Sequence, residues 1–259
     1  MTTSLAAPAA ATPSAPSAPS APTAPTAPTS TIPFTPRPLT ANCARLAARR
    51  VHACIGISPF NGYFHARRVA ELARWAVTEF EQVHFFLPDS LAVHTLEAVG
   101  YPGDRALFKA RRQGQHLHNK ITTALRELGV PDPDSRVLTS TALTTHPRYA
   151  ALHQQAQHLF SADPTFRTAC LEAGSWVLER RLPPGTAPTA AQLLIASRYL
   201  LGELPLFLDT PALTGAPESV FCYHQTPLFL RHLYEGRLPC RPAPTQGYLA
   251  VEEAAATED

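Results

Sequence analysis

The sequence lacks the features that mark several common classes of protein. Its 259 residues include five cysteines, an odd number with no C-x-x-C pair, which argues against a disulfide framework and a zinc ribbon. It has no run of 18 or more uninterrupted apolar residues, and its N-terminus lacks a secretory signal pattern. We therefore expect a cytoplasmic protein with reduced thiols that does not associate with membranes.

Motifs for nucleotides and metals are missing as well. The sequence contains no G-x-x-x-x-G-K-[ST] loop and no G-x-G-x-x-G after a predicted strand. It also has no His-x-x-His pair with a third ligand at a suitable spacing. The motifs therefore predict no cofactor, whether ATP, a dinucleotide or a metal ion.

The two ends of the chain differ in composition from its centre. The first 38 residues hold ten of the 27 prolines and one charged residue, so we expect 1–38 to be a disordered Pro/Ala/Ser/Thr-rich tail. Four acidic residues fall among the last nine, and 246–259 are predicted to be an acidic C-terminal tail. The intervening 39–245 are predicted to form a single domain.

The centre of the chain alternates between strand and helix patterns. A buried strand is predicted at 51–57, an amphipathic helix at 64–80 and a second buried strand at 83–87. This βαβ order favours an α/β fold with a mostly parallel sheet flanked by helices. The other predicted elements are strands 136–140 and 219–224 and helices 105–128, 149–160, 163–181, 190–207 and 226–236.

The predicted helix 105–128 has two unlike faces. At 100° per residue, alanines and aliphatic residues share one face and basic residues the other. From Arg105 to Arg126 there are six Lys or Arg residues and no acidic residue. An ordinary solvated face usually mixes both signs, so this stripe favours a nucleic-acid partner over that alternative.

Four polar positions are candidates for chemistry. Ser58 follows a predicted strand, where α/β sheets bind ligands, although a capping serine is the simpler alternative. The surrounding GISPF is not a nucleophile elbow, because Phe60 replaces the second glycine of G-x-S-x-G. Tyr199 and Glu203 project one turn apart from the same face of an apolar helix. A carboxylate among leucines costs free energy unless it is paired or functional. The alternative is that both residues lie at the solvent edge of the helix. Tyr223 ends a predicted strand, where a core aromatic is an equally good interpretation.

Together these segments resemble the cyclodipeptide synthase family over roughly residues 40–240. The motifs are HACIGIS at 52–58 followed by PFNGYF, and YLLGELP at 199–205, with Tyr223 downstream. The resemblance implies a Rossmann-like three-layer domain, similar to the catalytic domains of class I tyrosyl- and tryptophanyl-tRNA synthetases. It also implies an aminoacyltransferase of secondary metabolism that joins the aminoacyl groups of two aminoacyl-tRNAs into a 2,5-diketopiperazine. Its expected partners are those two aminoacyl-tRNAs, and the chain is expected to be a monomer.

The resemblance also assigns roles to the candidate residues. It implies a ping-pong mechanism in which Ser58 carries the first aminoacyl group as an ester. Glu203 and Tyr199 match the positions that hold the amino group, and Tyr223 matches a tyrosine that relays a proton during cyclisation. Asn61 matches a subfamily marker whose next member is one of the two residues after Tyr223.

Two sets of binding residues follow from the same resemblance. The residues expected to bind tRNA are Arg105, Lys109, Arg111, Arg112, Lys120 and Arg126. The residues expected to contact the aminoacyl group are Cys54, Gly56, Asn61, Phe86, Leu206 and Phe221. Because most of the second set is apolar, we expect a hydrophobic or aromatic first amino acid.

Two alternatives come from other classes of protein. One is a serine hydrolase or acyltransferase that pairs Ser58 with a histidine base, which leaves the basic helix unexplained. The other is a non-catalytic tRNA-binding module, which predicts loss of Ser58, Tyr199 or Glu203, although all three are present.

Overall fold

A six-stranded sheet forms the centre of the molecule. The computed structural model describes residues 1–2 and 34–253, and the greater part of the predicted N-terminal tail lies outside them. The strands are β1 (Phe34–Pro38), β2 (His52–Gly56), β3 (Gln82–Leu87), β4 (Val137–Thr139), β5 (Ser219–Tyr223) and β6 (Gln246–Glu253). Their order is β1-β6-β5-β2-β3-β4, and every neighbouring pair is parallel except β1 with β6. The predicted mostly parallel sheet is confirmed.

Helices cover both faces of the sheet and give three layers. They are α1 (Ala41–Arg49), α2 (Ala66–Glu79), α3 (Ala92–Ala98), α4 (Gly103–Glu127), α5 (Ser140–Leu143), α6 (Pro147–Ala162), α7 (Pro164–Glu179), α8 (Ala190–Thr214) and α9 (Leu228–Tyr234). Alternate strand residues point to opposite faces, so Ile55 packs with α2 and α4, whereas Cys54 packs with α6 and α8. The predicted Rossmann-like three-layer fold is confirmed.

The sequence interpretation is wrong at both ends of the domain. Residues 34–38, assigned to the tail, form an edge strand whose Phe34 packs against Trp75 with ring centroids 6.1 Å apart. An edge strand tolerates prolines because half of its N–H groups face away from the sheet. Residues 246–253, expected to be an acidic tail, form β6, whose residues 246–251 are buried. Two of the four acidic residues that suggested a tail, Glu252 and Glu253, pair with Arg37 and Arg68 at the end of the strand.

Helix α8 is longer than predicted and is interrupted. A capping box between Thr189 and Gln192 begins it, and Asp209 adopts a non-helical backbone (φ −161°, ψ 58°) between two prolines. The Asp209 carboxylate accepts hydrogen bonds of 3.0 and 2.7 Å from Arg148. Helix α8 is also long and apolar enough to cross a membrane by length and composition, although half of its most apolar window is buried. It packs against α3, α6 and α7, as expected of a core helix.

Candidate active site

The C-terminal edge of the parallel sheet brings Ser58 and Tyr223 together. Strands β2 and β5 are parallel neighbours, so residues that follow or end them meet at the same edge. Ser58 Oγ and the Tyr223 hydroxyl oxygen lie 2.8 Å apart, a hydrogen bond between residues 165 positions apart in the chain. Ser58 is half-buried, so its hydroxyl group has a fixed partner and remains accessible.

The loop after Ser58 is held in an unusual conformation. Phe60 has a positive φ of 60°, and it packs against a small apolar cluster formed by α3 and the N-terminal half of α4, with the members Ala92, Leu96, Ala106 and Ala110. A positive φ is uncommon for a residue with a side chain, so this packing fixes a loop that sequence patterns cannot anticipate. The loop that carries Ser58 and the N-terminal half of the basic helix therefore border the same apolar cluster.

Asn61 connects this loop to the end of β5. Its Oδ1 accepts a hydrogen bond of 3.0 Å from the Tyr63 amide, and its Nδ2 lies 3.2 Å from Nε2 of His224. His224 also stacks on Tyr63, with ring centroids 4.2 Å apart. Burial lowers the pKa of His224 to about 4, so the imidazole is neutral and its Nε2 accepts from Asn61 near pH 7. Of the two residues after Tyr223, His224 is thus the one that contacts Asn61.

Helix α8 places Tyr199 and Glu203 at the same cavity as Ser58. Glu203 lines the cavity, but dense surrounding atoms desolvate its carboxyl group and raise its pKa from 4.5 to about 8. The Tyr199 phenol favours the ionised carboxylate and only partly offsets this effect. Burial also raises the pKa of Tyr199 well above its usual range and that of Tyr223 to about 12, so both phenols are protonated near pH 7.

A cavity of about 910 Å³ opens above these four residues. Of the six predicted aminoacyl-contact residues, Gly56, Asn61 and Phe221 line it. The other three, Cys54, Phe86 and Leu206, are buried in the core and are not part of its lining. In place of Leu206, its neighbour Phe207 faces the cavity. Half of the predicted aminoacyl-contact residues therefore line the cavity, and sequence reasoning missed that α8 turns Phe207 toward it.

Position 56 requires a glycine because an aromatic ring packs closely against its backbone. A Cβ atom at this position would lie 2.7 Å from Cζ of Phe221, which is shorter than any normal contact. Phe221 is held by Phe207 and Phe86, at ring-centroid distances of 4.8 and 6.4 Å. A glycine at this strand end therefore lets Phe221 pack directly beneath the cavity.

The predicted basic stripe lies on the exposed face of α4. Arg105, Arg111, Arg112 and Arg126 are exposed, and no carboxylate among residues 1–2 and 34–253 forms an ion pair with any of the six cations. Two are tied locally: Lys109 Nζ donates to the Tyr101 hydroxyl at 3.0 Å, and Lys120 Nζ donates to the Phe64 carbonyl at 3.4 Å. Four arginines are thus free to bind an anionic partner.

The sequence interpretation missed three residues at the exposed edge of the cavity. Trp176 on α7 and Arg180 and Arg181 just beyond it line the cavity together with Ser58 and Glu203. The Arg180–Arg181 pair at the end of a predicted helix was the available signal, but nothing in the sequence indicated that this helix end faces Ser58.

The five cysteines are buried and unpaired. Within the part of the chain that the structure describes, no three His, Cys, Asp or Glu side chains come together as a metal site. The titratable groups that line the cavity are carboxyl, phenol and guanidinium groups together with the imidazole of His232.

These features define a class of protein: a Rossmann-like α/β domain whose cavity holds an accessible serine, two protonated tyrosines and a glutamate of raised pKa. The chain belongs to the cyclodipeptide synthase family, because the sequence model of that family matches residues 34–253. The resemblance inferred from the sequence is confirmed.

Individual relatives agree with this assignment. The chain is 32% identical over 218 residues to a cyclo(L-tyrosyl-L-tyrosyl) synthase of Mycobacterium tuberculosis, covering 84% of this chain and 75% of the relative. It is 30% identical over 203 residues to a cyclo(L-leucyl-L-phenylalanyl) synthase of Streptomyces noursei, covering 78% and 85%. A solved Mycobacterium tuberculosis structure, reported to relate cyclodipeptide synthetases to type I tRNA synthetases, matches with a TM-score of 0.75 at 32% identity and covers 87% of this chain and 95% of its own.

Proposed function

We propose that the chain joins two aminoacyl groups, taken from two aminoacyl-tRNAs, into a 2,5-diketopiperazine through an ester on Ser58. The observation that carries this proposal is the 2.8 Å contact between Ser58 Oγ and the Tyr223 hydroxyl group, at a cavity that also holds Glu203. The ester bond of an aminoacyl-tRNA already contains the energy for amide formation. The reaction therefore consumes no ATP.

In the first step Ser58 Oγ attacks the carbonyl carbon of the first aminoacyl-tRNA. The bond from that carbon to the ribose oxygen breaks, and the serine proton leaves with that oxygen as tRNA is released. Tyr223 is suited to this transfer because its protonated phenol contacts Ser58 Oγ and can donate or accept a hydrogen bond. The product of this step is an aminoacyl ester on the enzyme.

Glu203 and Tyr199 are suited to hold the amino group of that ester. The pKa of Glu203 is about 8, close to the ordinary value of an α-amino group, roughly 7.7–8.0. A proton can therefore pass from the ammonium group to the carboxylate at little cost in free energy. The neutral amine that remains is the form that attacks a carbonyl carbon.

Two acyl transfers complete the cycle. The amine attacks the carbonyl carbon of the second aminoacyl-tRNA, an amide forms, and the second tRNA leaves with the proton. The new terminal amine then attacks the Ser58 ester, which closes the six-membered ring. The serine oxygen leaves and regains its proton, for which Tyr223 is the neighbouring donor.

The exposed basic face of α4 supports tRNA as the acyl carrier. Its four exposed arginines favour phosphate groups, and the N-terminal half of the same helix contributes to the apolar cluster against which Phe60 packs, in the loop after Ser58. A tRNA acceptor stem on α4 would therefore lie beside the cavity. Phosphate contacts are independent of sequence, which suits an enzyme that uses more than one tRNA.

An apolar first amino acid is part of the proposal. The cavity lining near Ser58 includes Gly56, Phe207 and Phe221, which favour an uncharged side chain. The relatives named above are synthases of tyrosyl-tyrosyl and leucyl-phenylalanyl products.

The direct test uses purified protein and defined aminoacyl-tRNAs. With a single leucyl-, phenylalanyl- or tyrosyl-tRNA, intact-mass spectrometry should detect one aminoacyl group on the wild-type protein and none on Ser58→Ala. Product analysis should then detect a diketopiperazine. Release of free amino acids alone would indicate a hydrolase and contradict the proposal.

Salt dependence tests the role of α4. Replacing Arg111 and Arg112 by Gln should raise KM for aminoacyl-tRNA and reduce the slope of log KM against log salt by about 1 to 2, roughly one for each lost phosphate contact. Arg74→Gln is the matched control, because Arg74 is an exposed arginine on α2, away from the basic stripe. An equal effect of the control would remove the argument for α4.

A further inference from the structure

A series of side-chain contacts leads from the edge of the sheet to Tyr223. Tyr63 stacks on His224, with ring centroids 4.2 Å apart and an interplanar angle of 17°. The Arg68 guanidinium carbon lies 5.1 Å from the Tyr63 ring centroid and 5.5 Å from that of Phe34. The His224 ring in turn lies 4.5 Å from the ring of Tyr223. The contacts therefore connect β1 with the end of β5.

Arg68 is held by residues from three elements. Its side chain is 13% exposed, and its Nη1 lies 3.2 Å from a carboxylate oxygen of Glu71 on α2. It also pairs with Glu253 at the end of β6, and it contacts Phe34 of β1. Carboxylates fix the position of a guanidinium group, and its charge is attracted to the faces of aromatic rings. Arg68 therefore supports the ring of Tyr63.

Tyr63 makes these contacts with its ring and not with its hydroxyl group. The hydroxyl oxygen is buried and has no hydrogen-bond partner within the described ranges 1–2 and 34–253. A buried polar group without a partner costs free energy, so a phenylalanine would suit this position at least as well for stability. The side chain of Tyr63 therefore acts through its aromatic ring.

Tyr63 and His224 together fix the side-chain amide of Asn61. Asn61 Oδ1 accepts from the Tyr63 N–H, and its Nδ2 faces Nε2 of His224. A protonated imidazole has hydrogen on both ring nitrogens and cannot accept from Nδ2. Burial, followed by the charge of Arg180, keeps the pKa of His224 at about 4, and the rings of Tyr63 and Tyr223 are part of that burial.

Asn61 also acts on Tyr223. Burial raises the pKa of Tyr223 to about 12, and hydrogen bonding to Ser58 and Asn61 opposes this rise. Tyr223 thus interacts with Asn61 and lies 2.8 Å from Ser58 Oγ. A turn of the Asn61 amide group would therefore disturb the contact on which the proposed function depends.

We propose that Tyr63 and Arg68 are positioning residues for acyl transfer. Arg68 supports the Tyr63 ring, this ring holds His224 against Asn61, and Asn61 holds Tyr223 at Ser58. The inference rests on the proposed roles of Ser58 and Tyr223. Neither Tyr63 nor Arg68 lines the cavity, so we expect their loss to lower kcat more than it raises KM.

NMR titration of His224 tests the first part of this arrangement without turnover. The signal of His224 is identified as the one that is absent from His224→Gln. In the wild type this imidazole should remain neutral at about pH 6, since its pKa is about 4. In Tyr63→Leu the pKa should rise toward the ordinary 6.5, because the ring that covers the imidazole is gone. Tyr63→Phe keeps the ring and should leave the pKa unchanged.

Kinetics gives the second readout. Tyr63→Leu should lower kcat for each folded molecule by up to about a hundredfold, the cost of displacing a reacting group by roughly 1 Å. Its KM for aminoacyl-tRNA should stay within about twofold of the wild type, since the cavity lining and the basic stripe of α4 are unchanged. Tyr63→Phe should keep the wild-type kcat, because only a hydroxyl group without a partner is lost.

Arg68 has a matched control in the residue before it. Arg67 Nε lies 2.7 Å from the same Glu71, but its side chain is 85% exposed. Arg68→Gln should lower kcat about two- to thirtyfold, the range for residues that act through others, whereas Arg67→Gln should not change it. If Tyr63→Leu does not fold, this pair of variants and the His224 titration of Arg68→Gln make the same test.

Three results would overturn the inference. They are an unchanged pKa of His224 in the variant that removes the support, a Tyr63→Phe variant as slow as Tyr63→Leu, and an equal kcat in Arg67→Gln and Arg68→Gln. A chain in which the pKa of His224 rises as expected, but which makes no diketopiperazine, would contradict the proposed function alone.

Discussion

Strands β2 and β5 carry a polar contact at each end, and the two contacts have different environments. At the N-terminal ends, His52 Nδ1 and Ser219 Oγ lie 2.6 Å apart. At the C-terminal ends, Ser58 Oγ and the Tyr223 hydroxyl group lie 2.8 Å apart. The same pair of parallel strands positions both contacts, so pairing of the strands does not explain which end is a candidate active site.

The N-terminal contact is closed. His52 and Ser219 are each 2% exposed, and His52 Nε2 lies 2.8 Å from His84 Nδ1, which extends the hydrogen-bonded chain across a third strand. Burial, followed by the neighbouring charges, lowers the pKa of His52 and His84, so both are neutral near pH 7. This arrangement satisfies the buried polar groups and leaves no room for a ligand.

The contact at the C-terminal ends differs because it lies beside an open cavity. The loop held by Phe60 and the helices α7 and α8 leave a cavity of about 910 Å³ beside Ser58. Burial acts on titratable groups at both ends, but only here does it act on a carboxyl group that a ligand can reach, Glu203. Both serines form hydrogen bonds, but only Ser58 is accessible to a ligand in the cavity. Accessibility, more than hydrogen bonding, therefore distinguishes Ser58 as a candidate catalytic serine from Ser219 as a structural one.

The largest expected effect comes from exchanging the two serines for alanine. Ser58→Ala should lower diketopiperazine formation by at least about a thousandfold with little change in the free energy of unfolding, because it removes the proposed nucleophile from a half-buried position. Ser219→Ala should keep the activity of each folded molecule but cost about 1–3 kcal/mol of stability, since it leaves Nδ1 of the buried His52 without a partner. Mass spectrometry of the product and urea denaturation measure the two effects. Equal loss of activity in both variants would abolish the distinction between the ends.

Glu203→Gln should have the next largest effect and link activity to stability. Without the carboxylate, activity should fall at least about a hundredfold, the lower range for loss of a general base. The folded pKa of about 8 lies above the ordinary value of 4.5, so the unfolded chain binds fewer protons between these pH values. The contribution of Glu203 to the stability of the wild type should therefore fall as pH rises from 4.5 to 8, and the Gln variant should lack this fall.

Urea denaturation at several pH values measures this difference for Glu203. Glu81→Gln, at an exposed position, is the control and should follow the wild type. A Gln variant with the same pH dependence as the wild type would show that Glu203 has an ordinary pKa.

The smallest expected effect has the opposite sign and arises at the closed end. The folded pKa values of His52 and His84 lie below 6.5, so the unfolded chain binds more protons in acid and stability falls as pH drops below 6.5. His84→Gln keeps a hydrogen-bonding group but cannot titrate, and should make this fall shallower by up to about 1 kcal/mol per pH unit. His158→Gln, at an exposed position on α6, should leave it unchanged. Activity should not change in either variant, and a change in His84→Gln would couple the two ends.

Local patterns in the sequence were sufficient for most of the layered fold. The apolar run at 51–57, the helical period at 64–80 and the strand at 83–87 correspond to β2, α2 and β3 within one or two residues at most boundaries. The first and last strands of the chain, β1 and β6, were missed for different reasons. The prolines of β1 and the acidic residues at the end of β6 each led to the prediction of a tail. Composition describes an end of the chain by itself, whereas a strand forms by pairing with a strand elsewhere in the chain.

The candidate site likewise combines features that the sequence predicts with features that it does not. The four-residue spacing of Tyr199 and Glu203 and the one-signed face of α4 follow from helical periodicity, and the sequence alone located both. No helical or strand periodicity indicated that Phe207 rather than Leu206 lines the cavity, or that Phe60 has a positive φ. The same holds for the exposed edge of the cavity, which is formed by Trp176, Arg180 and Arg181.

The sequence by itself determined the alternation of strands and helices in the centre of the chain and the candidate residues for acyl transfer, because periodicity and side-chain type are local properties. Only the tertiary structure decided that β5 lies beside β2, so that Ser58 meets a tyrosine 165 residues away. It also decided which end of these strands opens into a cavity and where burial raises the pKa of a carboxyl group. Both depend on packing between distant segments, whose free energy no local window of sequence contains.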